Sequence, residues 1–178
     1  MSKWKSLYKA DLQRYGDSKV DPYIKRWTYL FRKTQNEKGI IQKIYHLRLM
    51  HLGAKHGLEI DYPVTIGAGF FIAHPYGITI NDKSILGNNC NISKGVTIGQ
   101  ENRGMRKGVP VIGDNVWIGV NSTIVGRIRI GNDVLIAPNT YLNKDVPDHS
   151  IVIGNPAKII SKNNATENYI NNIVENVK

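Results

Sequence analysis

From Ile60 onward the chain places Ile or Leu at every sixth residue, in three runs. The positions are Ile60, Ile66 and Ile72, then Ile80, Leu86, Ile92 and Ile98, then Ile112, Ile118, Ile124, Ile130, Ile136 and Leu142. The residue after the large one is usually small, as at Gly67, Ala73, Gly87, Ser93, Gly99, Gly113, Gly119, Gly131 and Ala137. Three further on comes a second small or β-branched residue, such as Ser84, Cys90, Val96, Val116, Ser122, Val134 or Thr140. A six-residue unit with two inward positions suits one short strand and one corner. Three such units close a triangular coil of about 18 residues. Successive coils then pair as parallel strands roughly 4.8 Å apart. The expected fold is therefore mainly β, a parallel β-helix over residues 58–160, with Gly and the Asn residues around Asn88, Asn115 and Asn132 at its corners.

Two steps break the spacing. Ile72 to Ile80 is eight residues, which pushes His74, Pro75, Tyr76 and Gly77 out of the coil. Ile98 to Ile112 is fourteen, which expels a loop, Gln100 to Val111, carrying Arg103, Arg106 and Lys107. Loops on a rigid scaffold are the usual carriers of function, so these two departures are the candidate functional segments.

Residues 1–57 read as a basic, aromatic-rich helical segment. Its first 56 residues hold thirteen Lys or Arg against four acidic residues, a net +9 of the chain's +10. Three helices are expected: Ser2 to about Tyr15; a second opened by an Asp21 cap and a first-turn Pro22; and a third from about Gly39 to Gly53, whose apolar surface is broad enough to be buried. Residues 161–178 form a polar tail, with a short helix expected over Thr166 to Val177. The charge suits anionic partners, and Trp and Tyr beside Lys and Arg also suit a membrane surface, so peripheral contact at an inner membrane face through residues 1–56 is one role considered. No nucleic-acid motif accompanies the charge. No apolar run approaches the roughly 20 residues of a membrane span, and the first residues lack a signal-peptide core, so a cytoplasmic location is expected. Cys90 falls at an inward position and reads as core. His46 and His51 lie about 140° apart on a helix, and no spacing suggests a metal site.

The repeat, with FFIAHPYGITI, KGVTIGQENRG, VIGDNVWIGV and IGNPAKII, resembles the serine acetyltransferase group of hexapeptide acyltransferases, especially its capsular and exopolysaccharide O-acetyltransferase members. The resemblance implies a left-handed coil, a homotrimer with active sites between subunits, and acetyl-CoA as donor without a metal. It implies that His74 is the general base for an acceptor hydroxyl that attacks the thioester directly, with Glu59, fifteen residues upstream, orienting it. It further implies that Gly99, Gly119, Val120 and Ala137 line the pantetheine slot beside Trp117, and that Asn155 and Lys158 meet the CoA phosphates. Tyr76, Arg103, Arg106 and Lys107 are the expected acceptor contacts. Serine acetyltransferases carry Asp immediately before the catalytic His and Arg-His-Pro after the TLGG turn. Here Ala73 precedes His74, and Gly108 and Val109 precede Pro110. This departure makes a glycan hydroxyl the expected acceptor, with serine O-acetylation as the alternative and a catalytically silent scaffold as a second alternative.

Overall fold

The computed structural model describes residues 2–175. Three helices precede the coil: α1 (Lys3–Gln13), α2 (Pro22–Asn36) and α3 (Gly39–Ala54). Pro22 opens α2 with its fixed φ, and the Asp21 carboxylate accepts the Tyr23 amide at 2.7 Å, satisfying one donor of the first turn.

Fourteen short strands then wind into a prism with three faces. The first face stacks β1 (Leu58–Ile60), β4 (Ile78–Ile80), β7 (Thr97–Gly99), β10 (Thr123–Val125) and β13 (Tyr141–Leu142). The second stacks β2 (Thr65–Ile66), β5 (Ile85–Leu86), β8 (Val111–Ile112) and β11 (Arg129–Ile130). The third stacks β3 (Phe71–Ile72), β6 (Asn91–Ile92), β9 (Val116–Ile118), β12 (Val134–Ile136) and β14 (Ser150–Ile153). All pairs among these are parallel. A final β15 (Lys158–Ser161) folds back antiparallel on β14 and ends the third face.

All thirteen six-spaced residues point inward, none more than 5 % exposed. Cys90 is fully buried with them, and burial pushes its thiol up to about 12. The corner between the second and third faces divides its work between neighbouring residues. Asn89, Asn115 and Asp133 take left-handed backbone angles. The residue before each accepts an amide from the coil above: Asn88 from Ala68 at 3.0 Å, Asp114 from Asn88 at 2.6 Å and Asn132 from Asp114 at 2.8 Å. Short polar side chains suit both tasks.

The helical lead is fastened to the coil by a buried ion pair. Arg32 binds Asp11 through Nε at 2.7 Å and Nη2 at 3.0 Å, and donates to the carbonyls of Ile66 at 2.8 Å and Gly67 at 2.6 Å. Asp11 in turn accepts the Phe70 amide at 2.9 Å.

Two expectations are corrected. The third helix does not bury its apolar surface: Leu49 and Leu52 face the core, whereas Ile40, Ile41, Ile44, Leu47 and Met50 are exposed, because nothing among the described residues packs on that side. The terminal helix is not formed over the described part of Thr166 to Val177; residues 176–178 lie outside it. Asn168 and Asn172 adopt left-handed angles, φ 66° and 52°, which an α-helix does not propagate. Instead the tail is a strap climbing the third face. Asp133 accepts the amides of Ala165 and Thr166, Tyr169 packs edge-on against Trp117, and Asn89 exchanges hydrogen bonds with Val174. At the top Arg14 donates to the Asn171 carbonyl at 2.9 Å, joining the strap to α1. No helix among the described residues is long and apolar enough to cross a membrane.

Candidate functional site

The edge between the third and first faces carries most of the candidate residues. Register places Ile72, Ile92, Ile118, Ile136 and Val152 one above another on the third face. The next residues, Ala73, Ser93, Gly119 and Ala137, turn the corner, each donating its amide to a carbonyl one coil further along at 2.8–3.1 Å. Gly119 has no room for a side chain, since a Cβ there would lie 2.6 Å from the Pro138 nitrogen. One residue later stands an outer column of His74, Lys94, Val120 and Pro138. The amides of His74, Lys94 and Val120 have no acceptor among the described residues. At about 4.8 Å per coil, Val120 lies about 10 Å and Pro138 about 14 Å from His74 along this edge. The edge thus offers free donors and small residues in a line that begins at an exposed imidazole.

The His74 corner is rigid. Tyr76 donates its amide to the His74 carbonyl at 2.9 Å, and Gly95 donates to Tyr76 at 2.9 Å. The Tyr76 ring is half exposed and stacks on His56 at 4.4 Å, and His56 stacks on Tyr23 at 3.7 Å, with all three rings nearly parallel. Burial, then the nearby Tyr76 and Asp21, push the Tyr23 phenol up to about 12, so it stays protonated and donates to the Leu52 carbonyl at 3.0 Å. His56 Nδ1 is buried without a partner among the described residues.

Glu59 lies on the first face, paired in register with Thr79. Its carboxylate accepts the Thr79 hydroxyl at 3.1 Å and makes no hydrogen bond with His74. Register explains this, because Thr79 is its neighbour across the ladder whereas His74 sits at the corner. Trp117 stands on the third face beneath Tyr169 of the strap. Gly99 ends β7 at the opposite edge of the first face, where it accepts the Gly126 amide at 3.3 Å. Asn155 and Lys158 are exposed in the β14–β15 hairpin, at the far end of the coil from His74.

The expelled loop leaves from the Gly99 edge. It closes as a small hairpin, with Glu101 and Gly108 exchanging hydrogen bonds at 2.9 and 3.0 Å, and holds Arg103, Arg106 and Lys107 exposed. Arg127, on the next coil, braces it by donating its amide to the Arg106 carbonyl at 2.8 Å and Nη2 to the Met105 carbonyl at 3.1 Å. The loop and His74 therefore flank the first face from opposite edges. Sequence reasoning missed Lys94, Tyr23 and Arg127. Lys94 had a signal, since it follows Ile92 by the same two residues that separate His74 from Ile72. No cluster of residues suited to a metal ion occurs among the described residues.

Residues 110–144 match the family model described as bacterial transferase hexapeptide (six repeats). Serine acetyltransferase 2 of Arabidopsis thaliana is 32 % identical over 133 residues, 68 % of this chain and 41 % of that protein. Serine acetyltransferase of Bacillus pumilus is 36 % identical over 107 residues, 60 % of this chain and 49 % of that protein. The chain thus spans less than half the length of these relatives. The crystal structure of Neisseria gonorrhoeae serine acetyltransferase in complex with serine superposes with a TM-score of 0.67 at 26 % identity, covering 88 % of this chain and 68 % of that one. Repeat, coil and likenesses together make the chain similar to hexapeptide-repeat transferases and, among them, to serine acetyltransferases.

Proposed function

We propose that the protein is an acetyl-CoA-dependent O-acetyltransferase. The observation that carries this reading is the single edge on which an exposed His74 heads a line of unbonded amides. Acetyl-CoA lies along this edge, its pantetheine arm on Val120 and Ala137 and its phosphates toward Asn155 and Lys158, so that the thioester reaches His74. The imidazole takes the proton from the acceptor hydroxyl as its oxygen bonds to the acetyl carbon. Collapse breaks the C–S bond, and the same proton passes to the CoA thiolate. Glu59 turns from Thr79 to orient the imidazole and balance its charge. In a homotrimer, the resemblance would bring Arg103, Arg106 and Lys107 of one subunit to the His74 edge of the next, and assembly supplies a partner for exposed apolar residues of α3.

L-serine is the first acceptor, because the relatives are named serine acetyltransferases and one is known with serine bound. A glycan hydroxyl is the second reading. It rests on Ala73 before His74, on the uncharged Gly108 and Val109 before Pro110, and on the half-exposed Tyr76 ring, whose free face suits a pyranose. Acetylation rates with L-serine and with a panel of methyl pyranosides separate the two: efficient O-acetylserine formation removes the glycan reading, and transfer to sugars alone removes serine. Failure to bind CoA favours a silent scaffold. Sedimentation with anionic liposomes, with and without residues 1–56, tests peripheral membrane contact, and no loss on truncation removes it.

A further inference from the structure

When a hydroxyl attacks a thioester, the carbonyl oxygen gains negative charge only as the tetrahedral centre forms. A group fixed at that point lowers the barrier without tightening ground-state binding. In the proposed alignment this oxygen lies between the acceptor at His74 and the pantetheine arm at Val120. The coil between those two levels is that of Lys94. Its place is set on both sides: Gly95 donates to the Tyr76 carbonyl at 2.9 Å above, and Asn121 donates to the Lys94 carbonyl at 3.0 Å below. The Lys94 side chain is exposed and forms no ion pair among the described residues, and its amide has no acceptor there. The flexible four-carbon stem carries three donors across the spacing of about 4.8 Å to the His74 level.

We propose that Lys94 is a catalytic residue whose side-chain ammonium receives the thioester oxyanion. The role rests on the acetyl-transfer reading. As the acceptor oxygen bonds to the acetyl carbon, its proton goes to His74 and the carbonyl π pair moves onto the oxygen facing Lys94. When that pair returns, the C–S bond breaks and His74 protonates the thiolate. Lys94 gains and loses no proton.

The test compares the full chain with Lys94→Met, Lys94→Gln and Lys94→Arg, using acetyl-CoA and whichever of L-serine or the methyl pyranosides the unmodified protein acetylates best. Lys94→Met and Lys94→Gln should lower kcat by about 100-fold, as loss of one oxyanion donor does. The KM for acetyl-CoA, and the Kd for CoA by calorimetry, should move by less than about threefold. Lys94→Arg should return kcat to within about tenfold of the unmodified protein, because charge and donors are kept. A kcat within about threefold in Lys94→Gln overturns the proposal. So does a loss expressed in KM and Kd, which would make Lys94 a donor-binding contact. An unmodified protein that binds CoA but acetylates none of the acceptors overturns the transfer reading itself, an outcome distinct from the other two.

Discussion

Replacing Asp11 by Ala tests how the helical lead is held. The carboxylate and the Arg32 guanidinium are each 1 % exposed, and they meet through two hydrogen bonds, 2.7 and 3.0 Å. Without Asp11 the guanidinium keeps the Ile66 and Gly67 carbonyls but loses its counter-charge, and the Phe70 amide loses its acceptor. Breaking a buried pair by removing one partner costs about 3–5 kcal/mol. For a chain of this size each kcal/mol lowers Tm by about 2–4 °C, so a fall of about 6–20 °C is expected. Asp11→Ala combined with Arg32→Met removes both charges and should recover part of that loss, since no buried charge is left uncompensated. Urea unfolding of the four proteins in the cycle reads both quantities. A cost below about 1 kcal/mol for Asp11→Ala, or strictly additive single and double changes, would refute the reasoning.

His74→Ala should lower acetyl transfer by about 10² to 10⁴ with the melting temperature unchanged, and activity within about threefold of the original would exclude a general base there. Gly119→Ala should destabilise by about 1–3 kcal/mol in urea unfolding, because its Cβ meets the Pro138 ring nitrogen and the Ile136 carbonyl. Burial alone would raise the Asp133 carboxyl, but His149 and the Thr166 and Ala165 donors outweigh it and hold it below its ordinary value. A depressed folded value gives stabilisation that is full above the unfolded value and lost as pH falls through the folded one. The strap should therefore stay in place down to about pH 4 and detach only below it. Tryptophan fluorescence of Trp117 beside Tyr169 follows this, and complete detachment by pH 6 would contradict it. Tyr76→Ala should raise KM for a pyranoside acceptor severalfold, by about the 0.5–1.5 kcal/mol of a ring contact, and leave KM for L-serine unchanged; equal effects on both acceptors would exclude a stacking role.

The coil was legible because each inward residue answers to its neighbours in sequence, so Ile60 to Leu142 could be counted without knowing any long-range contact. The same counting located the corner at His74 and the loop at Gln100, both of which are local insertions. It could not find the Asp11–Arg32 pair or the tail against Trp117 and Asp133, because those partners share no period and meet only once the chain has folded. The third helix shows the opposite failure. Its apolar residues read as a surface to be covered, but nothing among the described residues covers it. At the site, the family resemblance set Glu59, fifteen residues upstream, as the partner of His74, whereas the ladder places its carboxylate against Thr79. Lys94 emerged only when register turned the sequence into columns.

A solenoid of stacked coils ordinarily has two ends, each touching one neighbour and each free to fray. The strap changes that topology. Running from the last coil past Asp133, Trp117 and Asn91 to Arg14 at the end of α1, it ties the end of the winding to its beginning. Peeling the final coil must then disturb contacts on the earlier coils and the first helix. The chain should accordingly open as one cooperative unit, and terminal amides of β13 and β14 should exchange hydrogen nearly as slowly as those of β6 and β9. The coil that looks linear in sequence behaves mechanically as a closed loop.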